Sequence, residues 1–264
     1  MKTILALLFC CAIPAFAQFT GEGHELLLLP LATHETYGTP GGYGSSWVTH
    51  LSLFNATSRE LASPGDIYLL GACAFPPCRE VRIPAGSVQQ ASIFRTTPGD
   101  PPGALLWVRE EIAADVVFSI RIQDLSRQAL TWGTEIPVVR ETELYRKAVY
   151  LHGIPLDPRF RQSLRVYDPL PHQGCRSVRI RFLDESNGAV LLDENALLIG
   201  RDCNQTPGSS FPHAVEWHGL SDKVGKTSGN LIVEVTPFHD DMAIWAFVTI
   251  TNNETQHVTT ITPQ

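Results

Sequence analysis

The chain has 264 residues, 44% of them hydrophobic and 18% charged, enough apolar material for a sizeable core beneath a polar surface. Its 27 acidic residues outnumber its 20 lysines and arginines, for a formal charge of −7, and neither sign gathers into a run. Nucleic acid and anionic membrane surfaces reward clustered cations, so neither is an expected partner.

The opening stretch MKTILALLFCCAIPAFA, residues 1–17, carries Lys2, an apolar run from Ile4 to Ile13, and small residues at Ala15 and Ala17. That is the pattern of a cleaved secretory signal peptide. Pro14 breaks the run before the roughly 20 residues that a membrane span needs, and bulky Phe9 before Cys10 disfavours a lipid anchor. The expected location is secreted, in a periplasm or outside the cell, with no membrane insertion. Four cysteines follow the leader, Cys73, Cys78, Cys175 and Cys203. Four cysteines allow three pairings. The spacing favours disulfides Cys73–Cys78 and Cys175–Cys203, because a zinc site would want two close pairs.

Along the rest of the chain, LLLLPLA at 26–32 has strand length and is interrupted at Pro30. The glycine-rich loop 36–46 carries Tyr37 and Tyr43. WVTHLSLFN at 47–55 alternates in period two, as a strand with one face on a core does. DIYLLGA, EVRIPAGSV and ALLWV are further strand-like runs bounded by turn residues. WVREEIAADVVF reads as a hairpin leading into FSIRIQDLSRQ at 118–128, and Trp132 stands outside any apolar pattern. A short polar connector, VVRETELYR, follows and predicts a limited range of orientations between what lies on either side.

Beyond the connector the sequence repeats itself. FRQSLRVYD at 160–168 aligns without a gap to WVTHLSLFN, placing Leu164 on Leu51 and Tyr167 on Phe54. AFVTITNNETQ at 246–256 aligns to FSIRIQDLSRQ, matching Val248 with Ile120 and Asn252 with Asp124, and NLIVEV at 230–235 resembles ALLWV at 104–108. Three blocks in the same order indicate an internal duplication, with copies at 25–140 and 145–264. SVRIRFLDE, AVLLDENALLIG and HVTTITP add strands, twenty glycines and nineteen prolines supply turns, and helical periodicity is missing. The expected fold is all-β, two tandem β-sandwich domains.

A leading strand ending in Leu-Pro, the segment GGYGSSWVTHLSLFN and the closing EVTP…WAFVTITNNETQHVTTITP resemble uncharacterised bacterial secreted proteins built of tandem immunoglobulin-like sandwiches. The second copy departs from the pattern, with Gln162 in place of Thr49 and no glycine cluster in its lead-in. The resemblance implies fold and compartment only.

Chemical motifs are sparse. His239, Asp240 and Asp241 in FHDDM sit at a turn expected between the last long strands and are the candidate metal ligands, since adjacent aspartates can offer oxygens to calcium. The same residues are also turn formers. HAVEWH at 213–218 has the wrong histidine spacing for a zinc-protease helix. No serine lies in a Gly-x-Ser-x-Gly elbow. Trp47, Trp107 and Trp245 lie in apolar strands and are expected in the core, whereas Tyr37, Tyr43 and Trp132 are the candidate ligand-binding residues. No cofactor is expected. The function expected is that of a non-catalytic binding, adhesive or structural protein whose partner is an extracellular protein or glycan. A carbohydrate-binding module, or a hydrolase whose residues converge only in three dimensions, is the alternative. A concave pocket with convergent ionisable groups would favour the hydrolase.

Overall fold

A computed structural model describes residues 21–31, 39–63, 65–69, 81–91, 102–127, 132–200, 203–205, 209 and 211–264. The leader, Tyr37, Cys73 and Cys78 lie outside the described residues. In the N-terminal half the strands are β1 (His24–Leu29), β2 (Thr39–Pro40), β3 (Ser46–Asn55), β4 (Leu61–Ser63), β5 (Ile67–Leu69), β6 (Val81–Ile83), β7 (Val88–Ala91), β8 (Ala104–Arg109), β9 (Val116–Asp124), β10 (Thr134–Ile136) and β11 (Val139–Arg140). The C-terminal half contains β12 (Val149–Pro155), β13 (Phe160–Asp168), β14 (Arg176–Asp184), β15 (Val190–Leu198), β16 (His213–His218), β17 (Asn230–Pro237), β18 (Trp245–Asn252) and β19 (Val258–Ile261). Two short helices, α1 (Glu110–Ala113) and α2 (Leu220–Val224), interrupt them. The chain is all-β, and among the described residues no helix is long and apolar enough to cross a membrane.

Every strand pairing among the described residues is antiparallel, and the two halves share a central order, β1-β8-β5 matching β12-β17-β14 and β10-β9-β3-β7 matching β19-β18-β13-β16, while the fourth strand of the first sheet lies on opposite edges, β11 beside β1 and β15 beside β14. One N-terminal sheet runs β11-β1-β8-β5 and one C-terminal sheet β12-β17-β14-β15. The other N-terminal sheet runs β10-β9-β3, with β2 and β7 both on β3, and its counterpart runs β19-β18-β13-β16. Register repeats as well. Trp47 faces Asp124 and Leu51 faces Ile120, while the aligned Phe160 faces Asn252 and Leu164 faces Val248. Asp124 and Asn252 also do the same local work, each accepting backbone N–H bonds two residues on, from Ser126 and Glu254.

The expected hairpins do not form. β8 and β9 belong to different sheets, and α1 carries the chain from one to the other; β17 and β18 are related in the same way through residues 238–244. The reason is edge occupancy. β8 is already flanked by β1 and β5, and β17 by β12 and β14, so neither has a free side for the strand that follows it.

The sheets stack in pairs, the arrangement of a β-sandwich, each pair around its own buried cluster. In the C-terminal half Val178, Ile180, Phe182, Val233 and Val235 from one sheet meet Leu164, Val166, Ala246 and Val248 from the other. In the N-terminal half Leu27, Leu29, Leu106 and Val108 meet Leu51, Leu53, Ile120 and Ile122. A bond between Cys175 and Cys203, as the spacing predicted, ties the start of β14 to the segment beyond β15.

A third cluster joins the halves. Leu26 and Leu28 of β1 and Leu105 and Trp107 of β8 project from the back of their sheet onto Tyr167, Ala214, Trp245 and Phe247, which project from the back of the sheet containing β13. This explains the unbroken LLLL of β1, which is buried on both faces and has no polar alternation to show. Trp107 and Trp245 are therefore seam residues, packed between the sheet pairs. Tyr167 stacks at 6.3 Å on Phe247, and its hydroxyl donates to the Pro30 carbonyl across the seam. The connector adds β11 to the edge of β1, turns through a 3-10 segment at Glu141–Glu143, and exchanges two backbone bonds between Tyr145 and Ile244. The register-equivalent positions of the N-terminal half, Phe54, Val88 and Val117, are exposed. Truncating Trp245 to alanine removes a large side chain from the seam without touching either sandwich core, and urea denaturation is expected to show a loss of about 3–5 kcal/mol.

Candidate functional site

The outer face of the sheet containing β13 changes character along its length. Period-two alternation puts Arg161, Ser163, Arg165 and Tyr167 on one side of β13. Glu216 and His218 of β16 and Thr249 and Thr251 of β18 join them. The end bearing Tyr167, Trp245 and Phe247 is sealed by the seam. The polar end stays open, and the glycine-rich loop between β2 and β3 stands over it.

That loop is held by its own bonds. Gly41 N–H donates to Ser45 O at 2.9 Å, Ser45 Oγ donates to Gly42 O at 2.8 Å, and Trp47 Nε1 donates to Ser45 Oγ at 2.9 Å. A Cβ on Gly41 would lie 2.4 Å from Ser45 Oγ and 2.6 Å from Trp47 Nε1, so only glycine fits there. Tyr43 adopts φ 57°, a left-handed conformation uncommon for an aromatic residue, while Arg127 Nη2 donates to its carbonyl at 2.7 Å. The Tyr43 ring lies 5.1 Å from the Arg161 guanidinium carbon.

Two adjoining concavities result, of about 310 and 600 Å³, which share Pro40, Gly41, Gly42, Arg161, Ser163 and His218. Trp47, Arg165 and Glu216 line the first, and Tyr43, Phe160 and Asn253 the second. Within the first, Arg165 pairs with Glu216 and donates to Thr249 Oγ1 at 3.0 Å. Ser163 Oγ lies 2.8 Å from His218 Nδ1, and His218 Nε2 lies 3.6 Å from Glu216 Oε2. Burial alone would raise the Glu216 carboxyl, but His218 and Arg165 outweigh it and hold the group at about 2. Arg161 Nη1 donates to Asn253 Oδ1 at 3.0 Å and Nη2 to Gln256 Oε1 at 2.7 Å.

Of the residues singled out in the sequence, Tyr43 lies on this cleft and Trp132, 88% exposed, lines neither concavity. Asp241 is engaged by Arg176, with Nη1 donating to Oδ1 at 2.8 Å, and the Met242 N–H closes the turn onto His239 O at 3.0 Å. His239, Asp240 and Asp241 thus form a crossover turn anchored by an arginine. Among the described residues no group of three or more His, Cys, Asp or Glu is placed to hold a metal. Sequence reasoning missed Arg161, Ser163, Arg165, Glu216 and His218. The available signal was the run of polar side chains at alternate positions of β13, on the same face as Tyr167.

A second polar group is buried behind the seam. Asp168 faces His213 across the β13–β16 ladder, His172 Nε2 lies 3.5 Å from Asp168 Oδ2, and the His172 and His213 rings meet edge to face at 4.6 Å. Burial pushes the Asp168 carboxyl up to about 7, against the pull of Arg176, and burial likewise brings His172 down to about 4.

Comparison with protein-family models, with curated proteins and with solved structures returns no match.

Asp168 generates a pH prediction. Its folded-state pKa, about 7, lies above the unfolded value of 3.8, so the folded chain keeps a proton that the unfolded chain sheds. Its stabilising effect is full below the unfolded value and is lost as pH rises towards and through 7. Asp168→Asn should flatten that decline, and denaturation at pH 8 should find the variant more stable than the parent, by at most roughly 4 kcal/mol.

Proposed function

We propose that the chain is a secreted, non-catalytic binding protein of two tandem β-sandwich domains, 25–140 and 145–264, that seats its ligand in the cleft between them. The reading includes removal of the leader 1–17 and an extracellular or periplasmic partner, with a glycan favoured over a protein. The immunoglobulin-like assignment draws on the central pairings. In the C-terminal half β13 pairs with β16, the second strand with the fifth, and β14 with β17, the third with the sixth, and the equivalent strands of the N-terminal half, β3 with β7 and β5 with β8, pair in the same way. The immunoglobulin arrangement has both pairings, whereas the first strand and the strand equivalent to β18 here sit on the opposite sheets from that arrangement.

One observation carries the binding reading. Aromatic rings at Tyr43 and Trp47 converge with Arg161, Ser163 and His218 on a concave surface whose walls come from different sheets. A few polar groups placed around an apolar concavity between domains is the usual composition of a ligand seat. Gly42 provides the test. It lies in ordinary contact with the Arg161 side chain, 3.5 Å from where its Cβ would be, and its φ is not left-handed, so a larger residue can be placed there. Gly42→Phe should block the cleft and abolish capture on a glycan array while leaving the melting temperature unchanged. Capture that persists would place the ligand elsewhere.

A hydrolase is the second reading, and Ser163, His218 and Glu216 favour it because they form a hydroxyl–imidazole–carboxylate chain. Two features make it the weaker one. Glu216 divides its carboxylate between His218 and an ion pair with Arg165, and the nearby Gly219 N–H donates to Gln162 O at 2.9 Å, so that N–H offers nothing to an oxyanion. A fluorophosphonate probe should leave Ser163 unlabelled. Labelling that Ser163→Ala removes would establish the hydrolase instead.

A further inference from the structure

The structure assigns a ligand class to the cleft: an acidic saccharide, whose carboxylate is gripped by Arg161 and whose ring packs on Tyr43. This deepens the binding reading and rests on it.

The arginines of the C-terminal half are mostly neutralised. Arg165 pairs with Glu216, Arg176 with Asp241, Arg179 with Asp193 and Arg181 with Glu234. Arg161 is different. It is partly buried beneath the glycine-rich loop, its two bonded partners are the neutral amides of Asn253 and Gln256, and among the described residues no carboxylate lies within ion-pair distance. In a chain with an excess of acidic residues, leaving this guanidinium with only a more distant carboxylate, that of Asp124, and with the like charge of Arg127 nearby is a costly arrangement, because a partly desolvated charge lacking a close counter-ion is unfavourable. Burial accordingly lowers the Arg161 pKa. An incoming anion supplies the close counter-ion.

The geometry narrows the anion. Of the five N–H donors of a guanidinium, two are used by Asn253 and Gln256, leaving Nε–H and one hydrogen on each terminal nitrogen. A planar carboxylate can take two of these side by side. The Asn253 and Gln256 bonds fix the plane of the fork, and Gln256 is itself buried, holds a left-handed φ of 58°, and donates to Asn253 O at 2.8 Å. Tyr43 is 62% exposed, with one side of its ring towards Arg161, which leaves ring surface for the flat apolar face of a pyranose. Ser163 and His218 line both concavities and offer hydrogen-bonding groups suited to sugar hydroxyls.

The test is a calorimetric titration of the full chain with three probes: trigalacturonic acid, its fully methyl-esterified form, and sodium acetate. The acid should bind saturably, the ester at least tenfold more weakly, and acetate alone more weakly than the ester's parent acid by a similar factor. Arg161→Gln should weaken the acid at least tenfold without changing the ester, Arg161→Lys should be intermediate because it keeps charge and loses the fork, and Tyr43→Ala should weaken both sugars. Equal binding of acid and ester, both lost in Gly42→Phe, would overturn the acidic class and leave the cleft reading standing. Acetate as tight as the trisaccharide would remove the sugar. Absence of binding by every probe would overturn the acidic-saccharide assignment, and glycan-array capture that survives Gly42→Phe would remove the cleft reading separately.

Discussion

The apolar seam between the two outer sheet faces is the constraint on which the rest depends. Leu26, Leu28, Leu105 and Trp107 on one side and Tyr167, Trp245 and Phe247 on the other fix how the halves meet. The cleft has walls only because that contact holds the Gly41–Ser45 loop above β13. A hinge at this place would leave Tyr43 and Arg161 on separate bodies. With the seam closed, and with β11 and the Tyr145–Ile244 bridge restraining the connector, the cleft is preformed, and on the proposed binding reading that would lower the entropy lost when a ligand enters it.

The repeated architecture is used unequally. Tyr167, Ala214 and Trp245 occupy the same places in strand order and register as Phe54, Val88 and Val117, yet the first trio is buried and the second exposed. The partner is what differs, since among the described residues only the C-terminal trio has a sheet laid over it. Further along the same strand, Arg161, Ser163 and Arg165 stand where the N-terminal copy has Val48, His50 and Ser52. The substitutions that make the polar cleft therefore lie beside the ones that make the seam.

Much of the fold was legible because a strand with one face on a core writes its period directly into the sequence, and the gap-free matches at 47–55 and 118–128 carried the register with them. The crossings were not legible. Two strands separated by a few residues look alike whether they pair or part, and the decision rests with distant neighbours that occupy the edges of β8 and β17. The site was read only in its local component, Tyr43 in the glycine-rich loop. Arg161, Glu216 and His218 come from strands far apart in the chain, and polar residues at alternate positions look the same on a wet face as in a cleft. Trp132 shows the converse, an aromatic residue free of apolar pattern that lies away from both concavities.

The long-range pairing of β1 also has a bearing on how the chain reaches its native state. Leu27 is bordered by Leu106 on one side and Arg140 on the other, so this apolar strand is synthesised well before either neighbour exists. Until both arrive it is a greasy ribbon with two unsatisfied edges, a template for aggregation and a slow contact to close. Completion of this sheet therefore needs contacts that reach from the LLLL stretch as far as residue 140, a long chain closure for so apolar a segment.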